Sequence, residues 1–113
     1  MKLRDIVCRV IIDHRKLTEY ALSPSSLRGR HKAIVFERVL GFTRDNYADL
    51  LEQIKKKILD APATFHGEDE FGQRYTVDLT VRSTEERQAV VRTGWFVSHG
   101  ADEARLVTLY VRR

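Results

Sequence analysis

The feature that most constrains this chain is a change of hydrophobic period at Pro62. Before it, Tyr47, Leu50, Leu51, Ile54 and Ile58 recur at helical spacing, an apolar stripe on one face of a helix. After it, apolar residues alternate: Tyr75, Val77, Leu79 and Val81 in one run, then Val107, Leu109 and Val111 in another. Side chains of a strand point to opposite faces in turn, so this second half reads as half-buried strands. At 113 residues there is room for one core, which makes residues 1–113 a single domain. Helices followed by strands predict an α+β fold, with an N-terminal strand and helices packed on one face of an antiparallel β-meander of three to four strands.

The first half divides at its breakers. Ile6, Cys8, Val10 and Ile12 alternate and predict a strand over Ile6 to Ile12. Asp13 suits the N-cap of a short helix over Arg15 to Leu22, which Pro24 stops. A second helix runs from about His31 to Leu40, with Gly41 in the C-cap position. Thr43 reads as the N-cap of the third helix, whose Lys55-Lys56-Lys57 run suits the negative end of the helix dipole and is read as solvated. Further strands are expected near Ala63 to His66 and over Gln73 to Val81, Gln88 to Ser98 and Arg105 to Val111. The turns between them are short, so neighbouring strands should pair antiparallel.

Composition narrows the function classes. Hydrophobic residues make up 42% and charged residues 32%, and no apolar run approaches the roughly 18 residues of a membrane span. The N-terminus lacks the apolar stretch of a signal peptide, and the single cysteine, Cys8, suits a reducing compartment; both point to the cytoplasm, without a membrane. The net charge of +4 is compatible with a phosphate-bearing partner. No Cys/His or two-His-one-carboxylate spacing is present, so neither a metal nor another cofactor is expected.

Two stretches carry candidate chemistry. With Val91, Trp95 and Val97 facing the core, the opposite sheet face receives Arg74, Thr76 and Asp78, then Arg92, Gly94 and Phe96, then Thr108 and Tyr110. Gly94 would leave room there for a ligand to approach the backbone. A guanidinium such as that of Arg92 grips phosphate bidentately, and the hydroxyls of Thr108 and Tyr110 would orient it. The same residues also suit an ordinary solvent-facing sheet side. The second stretch is the start of the middle helix, where Arg28, Arg30, His31 and Lys32 place four cations in five residues beside exposed backbone N–H groups. His31 is the natural proton carrier, and Lys32 heads an apolar stripe with Val35, Phe36 and Val39. A solvated loop fits the same cluster. His14, His66 and His99 read as surface residues.

Several stretches taken together resemble a known family: Asp13-His14-Arg15-Lys16-Leu17-Thr18-Glu19-Tyr20, Gly29-Arg30-His31-Lys32-Ala33, Val91-Arg92-Thr93-Gly94-Trp95, and Arg105-Leu106-Val107-Thr108 with Tyr110. They resemble a family of short bacterial proteins described mainly as a domain of unknown function. More distantly the chain is similar to the barnase/EndoU/colicin/RelE (BECR) superfamily of ribonuclease toxins. That resemblance implies a metal-independent endoribonuclease of toxin type, with RNA as substrate and a cognate antitoxin or immunity protein as partner. It implies His31, Lys32, Arg92, Thr108 and Tyr110 as catalytic residues. Arg28, Arg30, Arg74 and Thr93 would be the substrate contacts. The alternative is a non-catalytic RNA- or protein-binding module of a toxin–antitoxin-like pair.

Overall fold

The computed structural model describes residues 1–26, 29–83 and 85–112. The fold is α+β. Strand β1 (Arg9–Ile11) comes first, then helices α1 (Arg30–Leu40) and α2 (Tyr47–Lys57), then β2 (Ala63–Glu68), β3 (Gly72–Arg82), β4 (Gln88–Ser98) and β5 (Glu103–Val111). The sheet order is β1-β5-β4-β3-β2. Strands β2 to β5 pair antiparallel with their neighbours, whereas β1 lies parallel to β5 at the edge. The sheet is therefore five-stranded and mixed. Among the described residues no helix is long and apolar enough to cross a membrane.

Local chemistry explains the elements and their departures from expectation. Strand β1 is only three residues long, because Leu3 and Val7 turn into the core while Cys8 stays exposed. The segment after it is not an ordinary α-helix but six residues of π-helix, Lys16–Ala21. Asp13 does not cap it; its carboxylate accepts the backbone N–H of Arg15 at 3.0 Å and pairs with the Arg15 guanidinium. Gly41 closes α1 in the left-handed region at φ 72°, as its position in the sequence implies. Helix α2 starts four residues later than Thr43. The Asn46 side chain accepts the Thr43 N–H at 2.7 Å and donates to the Gly41 carbonyl at 3.0 Å, so residues 43–46 form a turn.

The helices cover one face of the sheet, α2 on β3 and α1 on β4 and β5. Phe36, Leu40, Leu50, Ile54 and Ile58 meet Val77, Val91 and Trp95 in one core. A bulge resets β5. Gly94 pairs with Thr108 but Trp95 pairs with Leu106. An extra residue in one strand flips the facing of everything beyond it. Ala104 and Leu106 are buried before the bulge, and Leu109 and Val111 after it. Val107, expected on the buried side with Leu109, is instead 46% exposed.

Candidate functional site

Strand β1 pairs only with residues 103–105 of β5, which leaves the second half of that edge without a strand partner. The π-helical segment and α1 pack against β5 there. Lys32, in the first turn of α1, extends past this edge to the uncovered face of the sheet. Its ammonium donates to the Thr108 hydroxyl at 3.1 Å and to the Tyr20 hydroxyl at 2.5 Å. The same nitrogen lies 4.7 Å from the centroid of the Tyr20 ring and 5.4 Å from that of Tyr110. Electron-rich ring faces attract a cation, but they do not neutralise it. Among the described residues no carboxylate lies within ion-pair distance of this half-buried ammonium.

Register places a second cation, Arg92, on the same face. Across β3, β4 and β5 the uncovered face carries Thr76, Gly94 and Thr108 in one row and Asp78, Arg92 and Tyr110 in the next. Arg92 is clamped by Asp78: Nε donates to Oδ1 at 2.9 Å and Nη2 to Oδ2 at 3.1 Å. Arg112 Nη1 donates to the same carboxylate at 2.9 Å. The hydrogen bond from Arg92 holds the Asp78 carboxyl below the usual carboxylate range, and Asp78, with Tyr110 adding, raises Arg92. Two guanidiniums share one carboxylate, so with Lys32 the group of four charged residues has a surplus of two positive charges. The clamp uses Nε and Nη2 of Arg92 and leaves its Nη1 amino group outside the pair. A cavity of about 580 Å³, lined by Tyr20, Thr108, Lys16 and Glu19 among others, opens onto the hydroxyls that hold Lys32.

The sequence-derived candidates sort clearly. Lys32 meets Thr108 and Tyr110, and Arg92 is the cross-strand partner of Tyr110. His31 is exposed, one residue round the helix from Lys32, and has no hydrogen bond or ring contact among the described residues. Arg30 is likewise exposed at the start of α1. Arg74 shares the uncovered face but is tied to Asp69 at 2.6 Å and stacks on Phe96 at 5.2 Å. Thr93 is not on this face. It is fully buried, accepting from the Trp95 indole at 2.7 Å and donating to the Val77 carbonyl at 2.7 Å, so its hydroxyl serves the core rather than a substrate. Arg28 lies outside the described residues.

Gly94 also departs from expectation. A Cβ built there would stand 2.9 Å from the Thr108 methyl, so the space above it belongs to Thr108 and not to a ligand. The missing side chain lets Thr108 lie across β4 and present its hydroxyl to Lys32. Tyr20 and Arg112 were not legible as site residues, because Tyr20 meets Lys32 only through tertiary packing and Arg112 closes a contact 34 residues away.

No curated protein and no solved structure matches the chain. One family profile matches residues 2–113, nearly the whole length. The chain therefore belongs to DUF6883, a domain of unknown function.

Proposed function

We propose that this protein is a metal-independent endoribonuclease of the bacterial toxin type, cleaving RNA phosphodiester bonds at the Lys32 site. The observation that carries the reading is the half-buried Lys32 ammonium, held by two hydroxyls and two aromatic faces with no carboxylate within ion-pair distance among the described residues. A cation in that setting gains most from an anion, and phosphate is the anion that hydroxyls and guanidiniums also bind. In this reading Lys32 and the Nη1 edge of Arg92 grip the non-bridging oxygens. They stabilise the charge that grows as the phosphorus becomes five-coordinate.

The RNA 2′-oxygen forms its bond to phosphorus as the P–O5′ bond breaks. The 2′ proton leaves to water, and Tyr110 protonates the departing 5′-oxygen and is reprotonated from solvent. The products are a 2′,3′-cyclic phosphate and a 5′-hydroxyl. His31 takes no part in this reading, because it is exposed and makes no contact with the group among the described residues.

The test is cleavage of a single-stranded RNA in the presence of a chelator. Wild-type protein is expected to cut, and Lys32→Ala to cut about 10²–10³-fold more slowly, the usual effect of removing a group that meets transition-state charge. Arg92→Ala should fall comparably, and His31→Ala should match wild type. Intact RNA after prolonged incubation with folded wild-type protein refutes the reading. A non-catalytic RNA-binding module is the second reading, favoured by the absence, among the described residues, of any histidine from the partners of Lys32. RNA binding that weakens steeply with salt, without cleavage, would select it. Under either reading the antitoxin or immunity protein would act by covering this face.

A further inference from the structure

On the far side of Arg92 from Lys32 lies a second concavity, about 300 Å³, lined by Pro62, Thr64, His66, Thr76, Asp78 and Arg92. It is built by a bulge. Phe65 pairs with Tyr75 but Gly67 pairs with Arg74, so His66 has no partner residue in the ladder between β2 and β3. The bulge frees the imidazole to join Thr64 and Thr76 over the sheet. The side chains of Thr64, His66 and Thr76 make no hydrogen bond within the protein among the described residues. The carboxylate in the cavity, Asp78, is already engaged by Arg92 and Arg112. What remains for a visitor is therefore two hydroxyls, an imidazole and the edge of a fixed guanidinium. That set suits a phosphoryl oxyanion: each group can donate a hydrogen bond, and the acid present is neutralised by two cations.

We infer that this cavity is a second phosphate subsite, which holds a phosphodiester neighbouring the one at Lys32. The inference rests on the ribonuclease reading for the position of the first phosphate. Thr108 lies on β5, and the cavity spans β2 to β4. Adjacent strands are about 4.8 Å apart, so one or two nucleotide steps bridge the two places. The RNA then runs across the strands, with Arg92 between consecutive phosphates, and the substrate is an oligonucleotide rather than a single phosphodiester. His66 and Thr76 are substrate-positioning residues and take no part in bond cleavage.

The experiment is a binding series with 2′-O-methyl oligonucleotides, which lack the attacking hydroxyl and are not cut. They carry one, two or three phosphates. With wild-type protein, extension from one phosphate to two or three is expected to raise affinity about tenfold, the effect of one set of hydrogen bonds to a charged group. His66→Ala and, separately, the near-isosteric Thr76→Val should abolish most of that gain and leave binding of the one-phosphate ligand unchanged. Among the described residues both side chains lack hydrogen-bond partners, and melting curves matching wild type verify that the variants fold. The same gain in both variants as in wild type overturns the inference, as does absence of binding by every ligand. Wild-type protein that cleaves RNA but shows no dependence on His66 or Thr76 removes the subsite and leaves the ribonuclease reading standing. A length-dependent gain that requires His66, in a protein that does not cleave, keeps the subsite and removes catalysis.

Discussion

Gly94→Ala tests whether Thr108 is placed for Lys32 by the glycine beneath it. The added Cβ would stand 2.9 Å from the Thr108 methyl. Ordinary carbon–carbon contact begins near 3.5 Å, so the methyl must retreat by roughly 0.6 Å or rotate away. The Thr108 hydroxyl is attached to the same Cβ and moves with it. Its bond to Lys32 is 3.1 Å, already at the long end of the normal range, so either movement breaks it. Overpacking of this kind costs about 1–3 kcal/mol. For a domain of this size that lowers the melting temperature by about 4–12 °C. Loss of a positioned hydroxyl and a shift of the ammonium should slow RNA cleavage by about 10–100-fold. The decisive variant is the double substitution with Thr108→Ser, because serine keeps the hydroxyl and lacks the clashing methyl. Thermal melts and single-turnover cleavage on the two single variants and the double give a complete cycle. The double variant should regain most of both losses. A Gly94→Ala protein that melts and cleaves like wild type, or a double variant no better than the single, would refute the reasoning.

Three further outcomes are expected. Thr93→Val leaves the Trp95 indole N–H and the Val77 carbonyl without their shared buried partner, which should cost about 1–3 kcal/mol; melting should fall while cleavage per folded molecule stays at the wild-type rate, and a selective loss of cleavage would restore Thr93 to the site. Asp78→Asn removes the carboxylate that fixes Arg92, so RNA binding measured by fluorescence anisotropy should hold or tighten while cleavage drops about tenfold; weakened binding would mean that Asp78 touches the substrate. Because Asp78 is held below the ordinary carboxylate value, the stability of its pairs is fully present above pH 3.8 and is lost as pH falls through the depressed value. Wild-type melting should therefore decline more steeply than that of Asp78→Asn as pH falls below about 4. Asp13, lowered to about 2 by its hydrogen bond from Arg15, also loses its pair in acid, so only the difference between the two proteins reports on Asp78.

The candidate site was half legible from the residues. Parity along β3, β4 and β5 put Asp78, Arg92, Thr108 and Tyr110 on one face, and period-two alternation carries that information without a structure. The stripe on α1 marked Lys32 as a cation at the head of an apolar run. Helical spacing set Lys32 on that stripe and His31 beside it, but did not say what the stripe would meet. Only the docking of α1 against the bare edge of β5 turned one to the site and the other to solvent. Thr93 shows the opposite error, since its sequence neighbours Arg92 and Gly94 belong to the site and strand alternation sends it to the core.

The amino-acid order by itself determined the helix-then-strand succession, the core stripes and the closure of α1 at Gly41, because these depend on periodicity and on backbone conformation within a few residues. Tertiary structure alone decided the parallel seat of β1, the bulges that expose Val107 and free His66, and the meeting of Lys32 with Tyr20 and Thr108. The seat of β1 and the Lys32 contacts join residues 12 to 94 positions apart. Strand register, edge coverage and bulge placement are settled by how all the elements pack together, which local patterns do not encode.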